Sequence, residues 1–234
     1  MKIQRFFNKD IKVLGEKVVL NDPKIIHQLR NVFRFKSGDK LALFSGNGVD
    51  LICDISEIGR GEVTFYVKEI TDSPAGKAQI NLNLAVSMIK KDKMEWVLQK
   101  GTELGVSSFI PIIAARSEKK NLNYERVNKI ITEASEQSGR GCVPSIEKTV
   151  SLENYVSRFE GKAIALDGDG DEFSHKSFSG TDNLTVFVGP EGGFTEGELS
   201  LFKKHSIPVL SLGSATLRAE TASVAILTLI LIGK

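Results

Sequence analysis

At 234 residues the chain is long enough to bury a substantial core, as one large domain or as two small ones. Its formal net charge of +2 neither demands nor excludes a nucleic-acid partner, because a near-neutral total can hide a basic face. Cys53 and Cys142 lie far apart with no CxxC and no nearby histidine pair, which argues against zinc and for structural thiols in a reducing cytoplasm.

The segment Met1-Lys2-Ile3-Gln4-Arg5 lacks the apolar core of a signal peptide, so the expected location is cytoplasmic. Short β-rich runs follow at residues 17–20, 40–44, 49–55 and 62–67, separated by turn signals at 37–39, 46–48 and 59–61. One helix interrupts them, with Asp22 as N-cap, Pro23 at the first helical position, and Ile25, Ile26, Leu29, Val32 and Phe33 behind it. Several short strands with one helix predict a small β-barrel. The turn-rich, non-periodic stretch 71–77 is the expected linker, which divides the chain into domains of residues 1–72 and 73–234.

Beyond residue 77 strand and helix alternate. Residues 80–86 read as a strand, and Met94, Val97, Leu98, Gly101 and Leu104 trace one helical face that Gly105 is placed to end. A strand at 109–113 precedes a helix marked by Val127, Ile130, Ile131 and Ala134; strands at 163–166 and 184–188 come next. Thr195 and Glu198 have capping-box spacing for a helix carrying Leu199 and Phe202, and residues 207–212 form the last strand. The run 222–232 is almost wholly apolar, yet well short of the roughly 20 residues that span a bilayer, so a buried helix and no membrane are expected. Such alternation predicts a mainly parallel α/β sheet with helices on both faces.

Two of these strands end in glycine-containing turns that lead into helices. One reads Gly189-Pro190-Glu191-Gly192-Gly193-Phe194; the other is Leu212-Gly213, ahead of Leu217-Arg218-Ala219-Glu220-Thr221-Ala222. Glycine lets bare backbone approach a ligand, although tight strand-to-helix connections use it as well. A phosphate-binding loop would place lysine and serine or threonine after Gly193, and neither is there. Glu191, Glu196 and Glu198 would also repel a polyphosphate at the helix start. The pocket suits a neutral or cationic small molecule.

The pair GPEGGFTEGE and LGSATLRAETA resembles the carboxy-terminal signature of the SPOUT methyltransferases, and more narrowly the RsmE-type enzymes that methylate N3 of a uridine in 16S ribosomal RNA. The resemblance continues through Lys93-Met94-Glu95-Trp96, Lys100 to Val106, Pro111 with Arg116-Ser117, and Glu133 to Ser138 with Arg140. It reaches Arg5-Phe6-Phe7 and His27-Gln28-Leu29-Arg30 as well, so it covers nearly the whole chain in the family's order. It implies a PUA-like RNA-binding domain followed by a SPOUT domain with a trefoil knot, where chain physics alone would give an unknotted doubly wound sheet. It further implies S-adenosylmethionine as cofactor, S-adenosylhomocysteine as product, no metal, the small ribosomal subunit as partner and a homodimer formed through the carboxy-terminal domain.

On that resemblance the cofactor would lie against Leu166, Gly189, Pro190, Glu191, Gly192, Gly193, Leu212, Gly213, Leu217, Thr221 and Ala222, with the Asp167-Gly168 turn as a third edge. Arg218 would stabilise a uridine carbonyl, and Glu220 would orient Arg218 or take the proton, unless the two form only a helix-start ion pair. Arg5, Arg30, Lys93, Arg116 and Arg140 would contact RNA, with Lys90, Lys91, Lys119 and Lys120 adding charge. Ser135 to Ser138 would face the substrate, while His27, His175 and His205 would be surface residues. Ser214-Ala215-Thr216 departs from the family, which has a basic residue in that loop, so no RNA contact is expected there. Ribose methylation, a non-catalytic RNA-binding dimer and a dinucleotide oxidoreductase are the competing readings. The last is disfavoured because no G-x-G-x-x-G follows a first strand.

Overall fold

The computed structural model describes residues 3–76, 80–118, 121–174 and 181–232. Its contacts divide the chain into two units, Met1–Lys77 with Ser135–Val143, and Ala78–Ala134 with Pro144–Lys234.

In the first unit β1 (Arg5–Phe7), β2 (Val13–Leu14) and β3 (Lys17–Leu20) precede α1 (Pro23–His27), and β4 (Lys40–Phe44), β5 (Val49–Ile58) and β6 (Val63–Asp72) follow. Among the described residues these strands form a six-stranded sheet in the order β1-β4-β5-β6-β3-β2, antiparallel except for β1 against β4. Alternate residues point inward. Val18, Leu20, Leu41, Leu43, Cys53, Ile55, Val63 and Phe65 thereby share one core with Phe6 and with Ile25 and Ile26 of the helix. Asp22 caps α1 as expected, accepting the Lys24 N–H at 2.8 Å. The helix does not stay regular. From Gln28 to Val32 it widens into a π-helical turn, closed by the Phe33 N–H on the Gln28 carbonyl at 2.9 Å.

The second unit carries β7 (Asn81–Ser87), α2 (Lys91–Leu104), β8 (Ser108–Ile113), α3 (Tyr124–Ser138, whose last turn counts with the first unit), β9 (Ser145–Ile146) and β10 (Val150–Ser151). α4 (Leu152–Val156), β11 (Lys162–Glu172), β12 (Asn183–Val188), α5 (Glu196–Lys204), β13 (Val209–Ser211) and α6 (Ala219–Leu231) complete it. Its strands run in the order β10-β8-β7-β12-β11-β13, with β9 also on β8, and every pair is parallel. Ala85, Ile110, Ile112, Ala163, Ala165 and Phe187 line one face, packed against Leu152 and Val156 of α4 and Phe202 of α5. Phe109 points the other way, toward α2, and a Cβ at Gly101 would lie 2.8 Å from its ring. Glycine in the middle of α2 therefore serves close helix–sheet packing. α2 and α6 pack on each other, so the sheet has helices on both faces, and no helix among the described residues is long and apolar enough to cross a membrane.

One strand behaves differently from its sequence pattern. Leu210 of β13 partners both Leu166 and Asp171 of β11, so β11 does not end at Leu166 but bows out over residues 167–170 and resumes.

The described part of the stretch expected as a linker, residues 71–76, is also built into structure. Thr71 and Asp72 complete β6, and the buried Ser73 hydroxyl donates to Asp50 at 2.6 Å. Asp50 in turn holds Arg5, through Nε at 2.6 Å and Nη2 at 2.7 Å. Arg5 is 4% exposed, donates to the carbonyls of Ser135 at 3.0 Å and Arg140 at 2.9 Å, and lies 4.2 Å over the Phe44 ring. The RNA contact expected of Arg5 is corrected by this geometry, because each guanidinium nitrogen is engaged inside the unit. Arg140 is buried too, and desolvation lowers its pKa. Ser135 to Ser138 serve the same corner: the Glu136 carboxylate accepts the Phe7 N–H at 2.9 Å. Arg5→Met leaves Asp50 buried without its cation, so it is expected to lower stability by about 3–5 kcal/mol. Urea unfolding of the variant beside the parent checks this, and a loss below about 1 kcal/mol would place the pair effectively in solvent.

Candidate active site

β12 and β13 end at one edge of the sheet and β11 bows out beside them, Leu166 standing beside Val188 in one ladder and beside Leu210 in the other. Carboxyl ends of parallel strands are where open α/β sheets bind ligands. After β12 the chain turns at once, with the Gly193 N–H on the Pro190 carbonyl at 2.9 Å and Gly193 at φ 69°, where a side chain would be strained. Phe194 anchors the end of the turn, its ring 5.0 Å from that of Phe202. Thr195 and Glu198 then form the expected capping box of α5. After β13, Gly213 takes φ 124° and lies against the Ser211 hydroxyl, which donates to its carbonyl at 3.1 Å. The bow of β11 supplies the third wall, where Asp167 accepts the Asp169 N–H at 3.1 Å.

Together they enclose a cleft of about 310 Å³. Of the residues expected at a cofactor, Leu166, Gly189, Pro190, Glu191, Gly193, Leu212, Gly213, Leu217 and Ala222 line it. Gly192 and Thr221 do not: Gly192 lies under the side chain of Arg116, and Thr221 is exposed on α6. Asp169 and Ser214 to Thr216 also line the cleft although they were not expected at a cofactor; the Asp167-Gly168 turn, expected as a third edge, does line it. Asp167, Asp169 and Glu191 face the cleft, and no lysine or arginine does among the described residues. A polyphosphate would be repelled and a cation favoured. A larger cleft of about 580 Å³ opens at the other ends of the strands, around Asn83, Lys162, Asn183 and Thr185, away from both glycine turns.

Arg218 and Glu220 lie outside the cleft lining, at the start of α6. Arg218 is the N-cap residue, exposed, with no side-chain hydrogen bond or ion pair among the described residues. Glu220 is 9% exposed, and its partner is Lys93 of α2, at 3.5 Å, in place of the expected Arg218. Positions two apart at a helix start point in different directions, so Glu220 turns toward α2 and Arg218 does not. Lys93 is thus half-buried in an ion pair, whereas Lys90, Lys91 and Arg30 are exposed. Lys119, Lys120 and His175 lie outside the described residues. His27 is exposed beside Asn31, and His205 is a half-buried cap of α5. Among the described residues no cluster of His, Cys, Asp and Glu could hold a metal ion.

The pattern of the RNA methyltransferase domain matches residues 76–231. Ribosomal RNA small subunit methyltransferase E of Rickettsia conorii is 34% identical over 230 residues, covering 96% of this chain and 93% of its own length. This chain belongs to that family. The Bacillus subtilis member is 33% identical over 213 residues, 84% of this chain and 83% of that one. The crystal structure of the Neisseria gonorrhoeae member, bound to S-adenosyl methionine, superposes with a TM-score of 0.88 at 25% identity, over 97% of this chain and 96% of that chain.

Neither thiol of this family member is placed for nucleophilic work at the cleft. Burial pushes the Cys53 thiol up to about 12, with Asp54 adding to the shift, so it stays protonated and unreactive below that pH. Cys142 is exposed. A thiol reagent at pH 8 is therefore expected to label Cys142 rapidly and Cys53 only after unfolding; fast labelling of both would show that the first unit opens readily.

Proposed function

We propose that the chain transfers the methyl group of S-adenosylmethionine to N3 of a uridine in the 16S ribosomal RNA of the small subunit. The observation that carries this reading is the acidic cleft, lined by no lysine or arginine among the described residues, at the ends of β12 and β13 and the bow of β11. It fits a sulfonium cofactor: its walls are backbone turns and small side chains, its charge is opposite, and its size falls within the order of 300–1,000 Å³ usual for small ligands. Bound there, S-adenosylmethionine supplies a methyl group activated by a positively charged sulfur.

The protein's own part is alignment and charge. The turn at 189–193 packs on the cofactor, Leu212 and Gly213 offer backbone groups to its base, and Leu217 closes an apolar side. Arg218, exposed at the positive end of α6, donates to a uridine carbonyl as N3 loses its proton. Glu220, held by Lys93, receives that proton directly or through water. Arg30, Lys90 and Lys91 meet RNA phosphates, which makes binding salt-dependent. The same reading includes an RNA-binding first domain of residues 1–72, a catalytic domain of residues 73–234, a cytoplasmic location and a homodimer through the end of the chain. Leu229 and Ile232, exposed at the end of α6, support that dimer.

Labelled S-adenosylmethionine offered with small subunits, and with naked 16S RNA, from cells lacking this protein is expected to yield 3-methyluridine at one site. Label in a ribose methyl group would replace the proposed chemistry; no label with cofactor still bound would remove the substrate assignment. Gly189→Val, whose first side-chain carbon would already lie 3.3 Å from the Phe194 ring, is expected to abolish cofactor binding. Arg218→Ala should leave the cofactor Kd unchanged and lower kcat about 100- to 1,000-fold. Calorimetry with single-turnover assays separates the two effects, and normal turnover by Arg218→Ala would remove it from the chemistry.

A further inference from the structure

Arg116 stands in the loop that follows β8, exposed, with one guanidinium nitrogen turned back onto the 189–194 turn. Nη1 donates to the Gly192 carbonyl at 2.6 Å and reaches the Phe194 carbonyl at 3.5 Å. The aliphatic stem lies flat on Gly192: a Cβ there would come within 3.2 Å of Arg116 Cδ and 3.4 Å of its Cβ. Glycine at 192 thus leaves room for the arginine. A second tie runs beside the first. The Glu198 carboxylate accepts the Ala115 N–H at 2.7 Å through one oxygen and the Thr195 N–H at 2.8 Å through the other. The loop that makes both ties is shaped by Ser117, whose hydroxyl accepts the Ala114 N–H at 2.9 Å.

We infer that Arg116 is a positioning residue of the cofactor cleft, latching the 189–194 turn in its binding conformation from the β8 loop. The inference rests on the reading that S-adenosylmethionine binds in this cleft. Gly189, Pro190, Glu191 and Gly193 line the cleft while Gly192 faces away from it, so Arg116 grips the turn from behind without touching the ligand. A charged donor on two neutral carbonyls makes a strong restraint, and a turn held in place before binding gives up less freedom when the cofactor arrives.

The test compares the full-length parent with Arg116→Met, Gly192→Ala and the double variant, in calorimetric titration with S-adenosylmethionine alone, without RNA. Each single variant is expected to weaken binding about tenfold. The double variant should also be about tenfold weaker, because both changes break one latch and their effects cannot multiply. Thermal midpoints within a few degrees of the parent's show that the fold is retained. Hydrogen exchange of the apo proteins reads the latch without any ligand, and the amides of residues 192–195 are expected to exchange faster in both single variants. An unchanged cofactor Kd in Arg116→Met with a raised KM for RNA would make Arg116 a phosphate contact and overturn the inference. Multiplicative losses near a hundredfold would overturn it as well. A parent chain that binds no S-adenosylmethionine would instead sink the functional reading, with the exchange data still reporting whether the latch exists.

Discussion

Parallel pairing brings the ends of neighbouring strands to the same edge of a sheet, and the cleft depends on that coincidence. Leu166, Val188 and Leu210 stand side by side in the ladders of β11, β12 and β13, so the bow of β11 and the turns after β12 and β13 meet although they are far apart in sequence. In an antiparallel sheet successive strands run opposite ways, and consecutive turns would sit on opposite edges. Once the ends coincide, each turn needs backbone that can fold back tightly without side chains filling the gap. Gly193 and Gly213 meet that need with positive φ, and the bow at 167–170 closes the third side.

Electrostatics follows from which side chains those turns carry. Asp167, Asp169 and Glu191 are among the residues lining a cleft that no lysine or arginine lines among the described residues. The basic groups of the second unit that were expected at RNA or uridine, Lys93, Arg116 and Arg218 among them, sit elsewhere, on the first turn of α2, in the β8 loop and at the start of α6. The division suits an enzyme with a cationic cofactor and a polyanionic substrate, because each partner meets the opposite charge.

Four arginines show how far context governs one residue type. Arg5 is locked by Asp50 and by carbonyls more than a hundred residues away in the chain; Arg140 is buried and desolvated. Arg116 grips the back of the cofactor turn, and Arg218 stands exposed with its side chain unengaged among the described residues. Charge alone makes all of them equal candidates for RNA. Burial and partners separate a structural ion pair, a buried cation, a side chain tied to a turn and one left unengaged.

The sequence by itself determined most of the longer helices and strands and the family, because these are written in local pattern. Alternating burial in β3, the Asp22 cap, the Gly105 stop and the Thr195–Glu198 box each need only neighbours within a few positions. The two glycine turns marked the cleft for the same reason: a turn that must approach a ligand shows its glycines. Only tertiary structure decided that Glu220 pairs with Lys93, that Arg5 serves Asp50, and that Ser73 and residues 135–143 belong with the first unit. Those partners lie 23 to more than a hundred positions apart, at separations where no periodicity or turn signal links them, and burial against a shared core selects each pair.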